Sequence, residues 1–233
     1  MEFRFEKDDL IFKGKRFVPN ARTFKQMADV LASKSCGIAP GAPTYFMYRQ
    51  ADLFGRIHYD ITRILPLDLC GEHNKTFGHM HPSSQSGTPW PEVYEVLSGE
   101  AHFLLQKSSH SKVDEAVLLS AKKGDCLLIP PGYGHVTINP GKRELVLANL
   151  VSGDFESDYS TYAKHRGACF YEMSDGQMVP NRSYGAGVEL RKESAVEFSS
   201  EYDCFAPFRK AGLLEVAKDH RNIEFLGQPE KFC

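Results

Sequence analysis

Residues 124–139 read GDCLLIPPGYGHVTIN. Two apolar, β-type runs in this stretch are joined by Pro130–Gly132, a combination of residues typical of a tight turn. The second run begins just after the turn and carries His135. The stretch therefore predicts a strand, a turn and a second strand that delivers an imidazole into the fold.

Two further segments carry side chains of the same kind. His79 and His81 are two positions apart, and an extended chain places such residues on one face. Glu92 opens the next β-type run, which ends at the turn residue Gly99. Three imidazoles and one carboxylate converging inside a barrel form a binding site for a divalent metal, with His135 as the third imidazole.

Short β-type runs separated by Gly, Pro, Asn and Asp extend on both sides of these segments and predict a sandwich or small barrel over residues 43–171. The runs are Tyr45–Tyr48, Ile57–Leu65, Glu92–Leu97, His102–Gln106, Ala116–Leu119, Cys126–Ile129 and Leu145–Leu150. Residues 1–42 are predicted as an N-terminal arm with one short helix, because Thr23 and Gln26 have capping-box spacing. Residues 172–233 are predicted as a partly helical extension, with a helix over 208–219 after Pro207.

Composition excludes several classes of protein. The 233 residues include 28 Lys and Arg against 30 Asp and Glu, so the basic stripe typical of nucleic-acid binding is absent. No apolar run approaches the length of a membrane span, and the charged start Met1–Leu10 is unlike a signal peptide. We expect a cytoplasmic protein with no nucleic-acid or membrane partner. The six cysteines are far apart in sequence and are expected to be reduced and mostly buried.

The motifs resemble those of a known superfamily. Residues 124–139 match G-x5-P-x-G-x2-H-x3-N and residues 92–99 match E-x6-G, the two cupin motifs. Two departures are His73 in place of a usual Gly and a ten-residue loop between His81 and Glu92. Within the cupins, residues 76–81 and 91–99 look like the T-x-G-H-x-H and E-V-Y-x-x-L-x-G signatures of cupin-type phosphoglucose isomerases. Residues 43–45, Thr62 and 158–161 also fit that family.

The resemblance implies an all-β-dominated cupin barrel, a double-stranded β-helix or jelly roll, and a usually dimeric enzyme. That enzyme interconverts glucose 6-phosphate and fructose 6-phosphate, a step of glycolysis and gluconeogenesis. The implied metal ligands are His79, His81, Glu92 and His135. They would hold one divalent metal per subunit, Fe(II) by family expectation, with Mn, Ni or Zn as substitutes. An exchangeable catalytic centre fits this donor set, because structural zinc prefers closed sites that often contain Cys.

Two mechanisms are compatible with the sequence, and they give Glu92 and Tyr94 different roles. Glu92 is the candidate base if its second oxygen is free, and Tyr94 is the candidate helper at the substrate oxygens. Alternatively, Glu92 only binds metal, Tyr94 only packs, and a hydride passes directly between the two carbons. The residues implied in substrate binding, several of them at the phosphate, are Tyr45, Thr62, Thr76, Gly78 and Tyr159.

Two other functions compete with the isomerase: an iron cupin dioxygenase and a sugar-binding module without turnover. A homodimer is expected, because short strands leave edges to cover and the N-terminal arm is long enough to reach a partner. His73, beside the site, is given at most a minor role. The remaining histidines are expected to be structural or solvated: His58, His102, His110, His165 and His220.

Overall fold

The structure is a computed structural model that describes residues 3–34, 36–109, 112–185 and 187–232. Its strands are β1 Phe3–Glu6, β2 Asp9–Phe12, β3 Lys15–Phe17, β4 Asn20–Thr23, β5 Pro43–Phe54, β6 Ile57–Ile64, β7 Asp68–Leu69, β8 Glu72–His73, β9 Glu92–Ser98, β10 Glu100–Ser109, β11 Lys112–Lys122, β12 Cys126–Ile129, β13 Tyr133–Ile138, β14 Leu145–Ser152, β15 Phe170–Glu172, β16 Met178–Pro180 and β17 Leu190–Ser194.

The helices are short. The α-helices are α1 Phe24–Met27, α2 Ser160–Lys164, α3 Ala195–Ser199, α4 Leu213–Val216 and α5 Glu224–Gly227. Turns of 3-10 helix cover Ala28–Val30, Arg182–Tyr184, Asp203–Arg209, His220–Ile223 and Pro229–Lys231. Within the described part of the chain, no helix is both long enough and apolar enough to cross a membrane.

Two sheets form the centre of the fold. One has the strand order β12-β9-β14-β6-β5-β4, and the other has the order β13-β10-β11-β17. Apolar side chains from both sheets meet between them, as where the rings of Tyr94 on β9 and Phe103 on β10 lie 5.2 Å apart. The predicted all-β-dominated class is confirmed, as two facing sheets of jelly-roll type. Every predicted β-type run lies in a strand, except that β6 ends one residue before Leu65.

The outer face of the six-stranded sheet is also buried. The first three strands form a small antiparallel sheet of their own, and Phe12 from this sheet stacks on Tyr59 of β6 at 5.8 Å. Tyr48 donates a hydrogen bond to the Asp8 carbonyl at 2.6 Å. The rest of this face is covered from the C-terminal side by apolar residues that include Phe208 and Leu213. The N-terminal arm thus packs on the sheet of its own chain.

The arm contains the predicted short helix. Thr23 precedes α1 and its side chain forms a capping box with Gln26, whose Oε1 accepts the Thr23 backbone N–H at 2.8 Å. The prediction of one helix over residues 208–219 is wrong. A 3-10 turn ends at Arg209, and α4 begins only after Gly212, because the backbone N–H of Leu213 donates to Glu95 at 2.8 Å. Docking against β9 interrupts the helix there.

The cysteine prediction is wrong in part. Cys36 and Cys70 form a disulfide with an S–S distance of 2.05 Å, which ties the segment after α1 to the turn between β7 and β8. The two cysteines are 34 residues apart, and no sequence motif predicts that they pair. Cys204 is also disulfide-bonded. Cys126 and Cys169 are free and buried, as expected for small hydrophobic residues.

Candidate metal and substrate site

His79 and His135 are positioned by a direct backbone contact. The N–H of each residue donates to the carbonyl of the other, at 3.2 and 3.0 Å, and the two rings lie 4.4 Å apart. His135 is on β13, as predicted. His79 and His81 belong to an extended segment held by isolated bridges rather than to a regular strand. The extended backbone alone suffices to put both imidazoles on one side.

Glu92 reaches the same point from the first residue of β9. Its Oε2 lies 3.3 Å from Nε2 of His81 and 3.4 Å from Nε2 of His135. Its Oε1 accepts a hydrogen bond from the Asn149 amide at 2.7 Å. The carboxylate is therefore fixed by β14 on one side and presents its other oxygen to the imidazoles.

The four side chains have the geometry of a metal site. One ligand atom from each of His79, His81, Glu92 and His135 lies within 4.8 Å of every other. Glu92 Oε2 is buried without a hydrogen-bond partner, which is costly unless something else satisfies it. The Nε2 atoms of His79 and His81 face each other at 3.1 Å. A cation among these atoms would satisfy all of them, so the donor set fits a divalent metal.

The long loop before Glu92 orients one ligand. Nδ1 of His81 donates to the Trp90 carbonyl at 2.8 Å, which leaves the lone pair of Nε2 free for a metal. The Trp90 ring stacks on Phe155 at 5.6 Å, and the Phe155 ring lies 4.6 Å from that of His81. The loop that departs from the usual cupin spacing thus packs around His81 and holds its tautomer.

The protonation states suit metal binding. Burial lowers the pKa of His79, and the other two imidazoles add to the effect. Burial also lowers the pKa of His135, although Glu92 opposes it. For Glu92 itself, burial raises the pKa, but His135 and His81 outweigh burial and bring it below the usual value. Neutral imidazoles and an ionised carboxylate are the forms that bind metals.

Tyr94 and Asn149 complete the polar lining. The Tyr94 hydroxyl lies 3.1 Å from Nε2 of His135, and burial, with Glu92 adding to it, raises the pKa of this phenol. Tyr94 therefore remains a protonated donor beside the ligand atoms. Sequence reasoning missed Asn149, because its importance comes from pairing between β14 and β9, which puts it opposite Tyr94.

The residues expected to bind substrate share one cavity with the imidazoles. Tyr45, Thr62, Thr76, Gly78 and Tyr159 all line it, together with His79, His81, Glu92 and Tyr94. Oγ1 of Thr76 accepts the Thr137 backbone N–H at 3.0 Å, so its own hydroxyl proton can be donated. Gly78 has a φ of +85°, and a Cβ there would come within 2.4 Å of the Tyr162 ring. Only glycine fits this position.

Comparison with known proteins gives the family. A family model described as "Glucose-6-phosphate isomerase (GPI)" matches residues 47–189, more than half of the chain. The chain belongs to the glucose-6-phosphate isomerase family. The recognition made from the cupin motifs is confirmed.

Curated relatives carry the same family name. The glucose-6-phosphate isomerase of Thermococcus litoralis is 28% identical over 134 residues, which are 58% of this chain and 66% of that protein. That of Sinorhizobium medicae is 27% identical over 159 residues, 66% of this chain and 68% of the relative. The chain therefore spans about two thirds of the length of these two relatives.

Solved structures resemble about half of the chain. Oxalate decarboxylase of Lactobacillus farciminis aligns with a TM-score of 0.38 and 20% identity, covering 49% of this chain and 30% of that one. The capsular polysaccharide assembling protein CapF of Staphylococcus aureus aligns with a TM-score of 0.38 and 18% identity, covering 48% and 29%.

None of the other described histidines of this family member belongs to the ligand cluster. Nδ1 of His102 is 2.8 Å from Glu172, and His165 stacks on Tyr184 at 4.2 Å. Neither His58 nor His220 belongs to the group of ligand atoms found among the described residues. His73 lies on β8, outside that group. His110 and Cys233 lie outside the described residues.

Proposed function

We propose that the protein is a metal-dependent isomerase that interconverts glucose 6-phosphate and fructose 6-phosphate. The observation that carries the proposal is the convergence of His79, His81, Glu92 and His135 beside a cavity whose lining includes three of these ligands and also Thr62, Thr76 and Tyr159. This cavity lies almost wholly within the segment that matches the family model. The cavity lining thus offers both metal ligands and hydroxyl donors, the two kinds of group that a sugar phosphate requires.

We further propose that His79, His81, Glu92 and His135 hold one divalent cation per chain. Fe(II) is our first choice, and Mn, Ni and Zn are alternatives. When bound, the cation would polarise the carbonyl and hydroxyl oxygens on carbons 1 and 2 of the sugar. Tyr45, Thr62, Thr76, Gly78 and Tyr159 are proposed to bind the substrate and to fix its reacting carbons.

The contact between Asn149 and Glu92 bears on the mechanism. A proton carrier at Glu92 needs a free oxygen, but Oε1 accepts from Asn149 and Oε2 faces the imidazoles. This arrangement favours Glu92 as a ligand and a hydride passing from carbon 2 directly to carbon 1. The aldose hydroxyl on carbon 2 then gives up its proton, and the former carbonyl oxygen gains one. Tyr94, kept protonated by burial, is our candidate to carry that proton.

The mechanism is tested by following the hydrogen of carbon 2. Glucose 6-phosphate labelled with deuterium at carbon 2 is converted in ordinary water, and the product is examined by NMR. A direct transfer leaves the label on carbon 1 of fructose 6-phosphate. Complete loss of the label to solvent would instead make Glu92 a base, as in the alternative mechanism.

The function is tested by assaying the full chain with fructose 6-phosphate, coupled to the oxidation of glucose 6-phosphate. The proposal predicts turnover by the wild type and its loss in His135→Ala. Oxygen consumption with a catechol or thiol substrate, without isomerisation, would indicate a dioxygenase. Calorimetric binding of the sugar phosphate without turnover would indicate a sugar-binding module. Either result would overturn the isomerase.

A further inference from the structure

Arg22, on strand β4 of the N-terminal arm, lies among aromatic rings beside the cavity. Its guanidinium carbon is 5.5 Å from the ring centre of Phe77, 5.7 Å from that of Tyr159 and 6.0 Å from that of Tyr45. All three rings line the same cavity as the metal ligands. Such contacts attract a cation to the rings but do not neutralise its charge.

The charge of Arg22 is not balanced by an acid. Among the described residues, no carboxylate lies within ion-pair distance of Arg22, and its Nε is buried without a hydrogen-bond partner. Arg49, which lines the cavity itself, differs from Arg22, because it donates to Asp60 at 2.6 Å. A guanidinium has five N–H donors, so one without a carboxylate partner next to a cavity has donors available for an anion.

The position of Arg22 relative to the imidazoles fits a sugar phosphate. The Tyr159 ring is 5.7 Å from the guanidinium carbon of Arg22 and 5.6 Å from the ring centre of His79. The guanidinium of Arg22 and the imidazole of His79 therefore both lie beside the ring of Tyr159. A sugar whose first two carbons lie at His79 would extend its other end toward Arg22.

We infer that Arg22 supplies the positive charge that binds the phosphate group of the substrate. This inference rests on the proposed function and adds to it a residue for which the sequence motifs give no signal. The hydroxyls of Thr62, Thr76 and Tyr159 are neutral, whereas a phosphate carries close to two negative charges at neutral pH. A guanidinium adds charge-assisted hydrogen bonds, about twice as strong as neutral ones. Arg22 precedes residue 47, so the arm contributes it from outside the family match.

The test measures binding rather than turnover. Sorbitol 6-phosphate, an open-chain sugar phosphate, is titrated by calorimetry into wild type, Arg22→Met and Arg22→Lys, with inorganic phosphate as a second probe. Arg22→Met should bind sorbitol 6-phosphate about 10- to 150-fold more weakly, the loss expected for a hydrogen bond to a charged group. The variant should also bind inorganic phosphate more weakly than the wild type does. Arg22→Lys should recover part of the affinity, because it restores the charge without the planar fork.

Arg16→Met is the matched control. Arg16 lies on the same arm, but it is exposed and pairs with Glu6 and Asp9, so its loss should leave both affinities unchanged. Metal content should be equal in wild type and Arg22→Met, whereas the melting temperature should fall modestly as the contacts with the three rings are lost. A merely structural Arg22 would change the melting temperature and leave phosphate affinity intact, which would overturn the inference.

The outcomes separate the inference from the proposed function. If Arg22→Met binds sorbitol 6-phosphate as tightly as the wild type does, and the wild type isomerises fructose 6-phosphate, then only the role of Arg22 is overturned and the proposed function stands. Arg22-dependent binding in a chain without isomerase activity overturns the proposed function and supports the phosphate site. A wild type that binds neither probe and does not isomerise fructose 6-phosphate overturns both.

Discussion

At the scale of single residues, Asn149 determines how Glu92 is presented. Its amide is buried and donates to the carboxylate oxygen that faces away from the imidazoles. We predict that Asn149→Leu lowers metal affinity about 10- to 100-fold, because a ligating carboxylate loses the partner that orients it. Competition with a chelator of known affinity measures the change.

Asn139→Ala is the matched control for Asn149→Leu. Asn139 is an equally buried amide, but it donates to the backbone carbonyls of Ile64 and Arg143, away from the ligand cluster. Its loss should lower stability and leave metal affinity unchanged. Equal metal affinity in Asn149→Leu and wild type would show that Glu92 binds the metal without the hydrogen bond from Asn149.

Thr76 is predicted to donate its hydroxyl proton to the substrate phosphate. Thr76→Val removes one hydrogen bond to a charged group, at about 1.5 to 3 kcal/mol, so kcat/KM for fructose 6-phosphate should fall roughly 10- to 150-fold. Metal content should not change, because Thr76 is not a ligand. Thr76→Ser keeps the hydroxyl and should retain most of the efficiency. Wild-type kinetics in Thr76→Val would remove Thr76 from the phosphate site.

The sequence predicts the four ligand-cluster residues but not their neighbours, for a physical reason. His79, His81, Glu92 and His135 lie within the short motifs that resemble those of cupins, so they could be picked out even though the pairing of distant segments, such as that of His79 with His135, brings them together. Asn149 lies outside these motifs, and its contact with Glu92 depends on the pairing of β14 with β9. No local pattern encodes that pairing.

At the scale of elements, a buried ion pair lies at the start of the segment that leads to His79. Nζ of Lys75 is 2.5 Å from Glu72 Oε2, and both side chains are at most 4% exposed. The other Glu72 oxygen accepts from the Ala32 backbone N–H, which links the arm to β8. The pair therefore joins three parts of the fold.

Lys75→Met is predicted to be strongly destabilising. It leaves the Glu72 charge buried without its partner, which costs about 3 to 5 kcal/mol in free energy of unfolding. Adding Glu72→Gln removes that charge while keeping an acceptor for Ala32, and should recover most of the loss. Urea unfolding of the single and double variants measures both effects. A double variant no more stable than Lys75→Met would contradict this explanation.

Strands are more predictable here than helices. Short apolar, β-type runs between turn residues mark the predicted strands, and they include β12 and β14, which are buried along almost their whole length. The predicted helix over 208–219 failed because Gly212 lies against Glu95, where a Cβ would come within 2.7 Å of the carboxylate. Contacts with a strand far away in sequence decide where that helix begins.

At the scale of the whole molecule, the six-stranded sheet is covered on both faces within one chain. The idea that the arm crosses to a partner therefore loses its structural basis, since the arm lies on its own sheet. Outer edges of β4 and β17 still lack a neighbouring strand in the described part of the chain. Such edges favour association.

A homodimer remains our prediction. Light scattering at micromolar concentration should give twice the 26.2 kDa mass of one chain. Dilution should not abolish the dimer at concentrations used for the activity assay. A particle of one chain mass under these conditions would contradict the prediction.

We propose that isomerase activity depends on one metal ion held by His79, His81, Glu92 and His135. The most direct test is to strip the full-length protein with a chelator and titrate Fe(II) back anaerobically while following the conversion of fructose 6-phosphate. Activity should be absent in the stripped protein, rise linearly with added metal and level off at one equivalent per chain. Full activity in protein shown to be free of metal would contradict the claim.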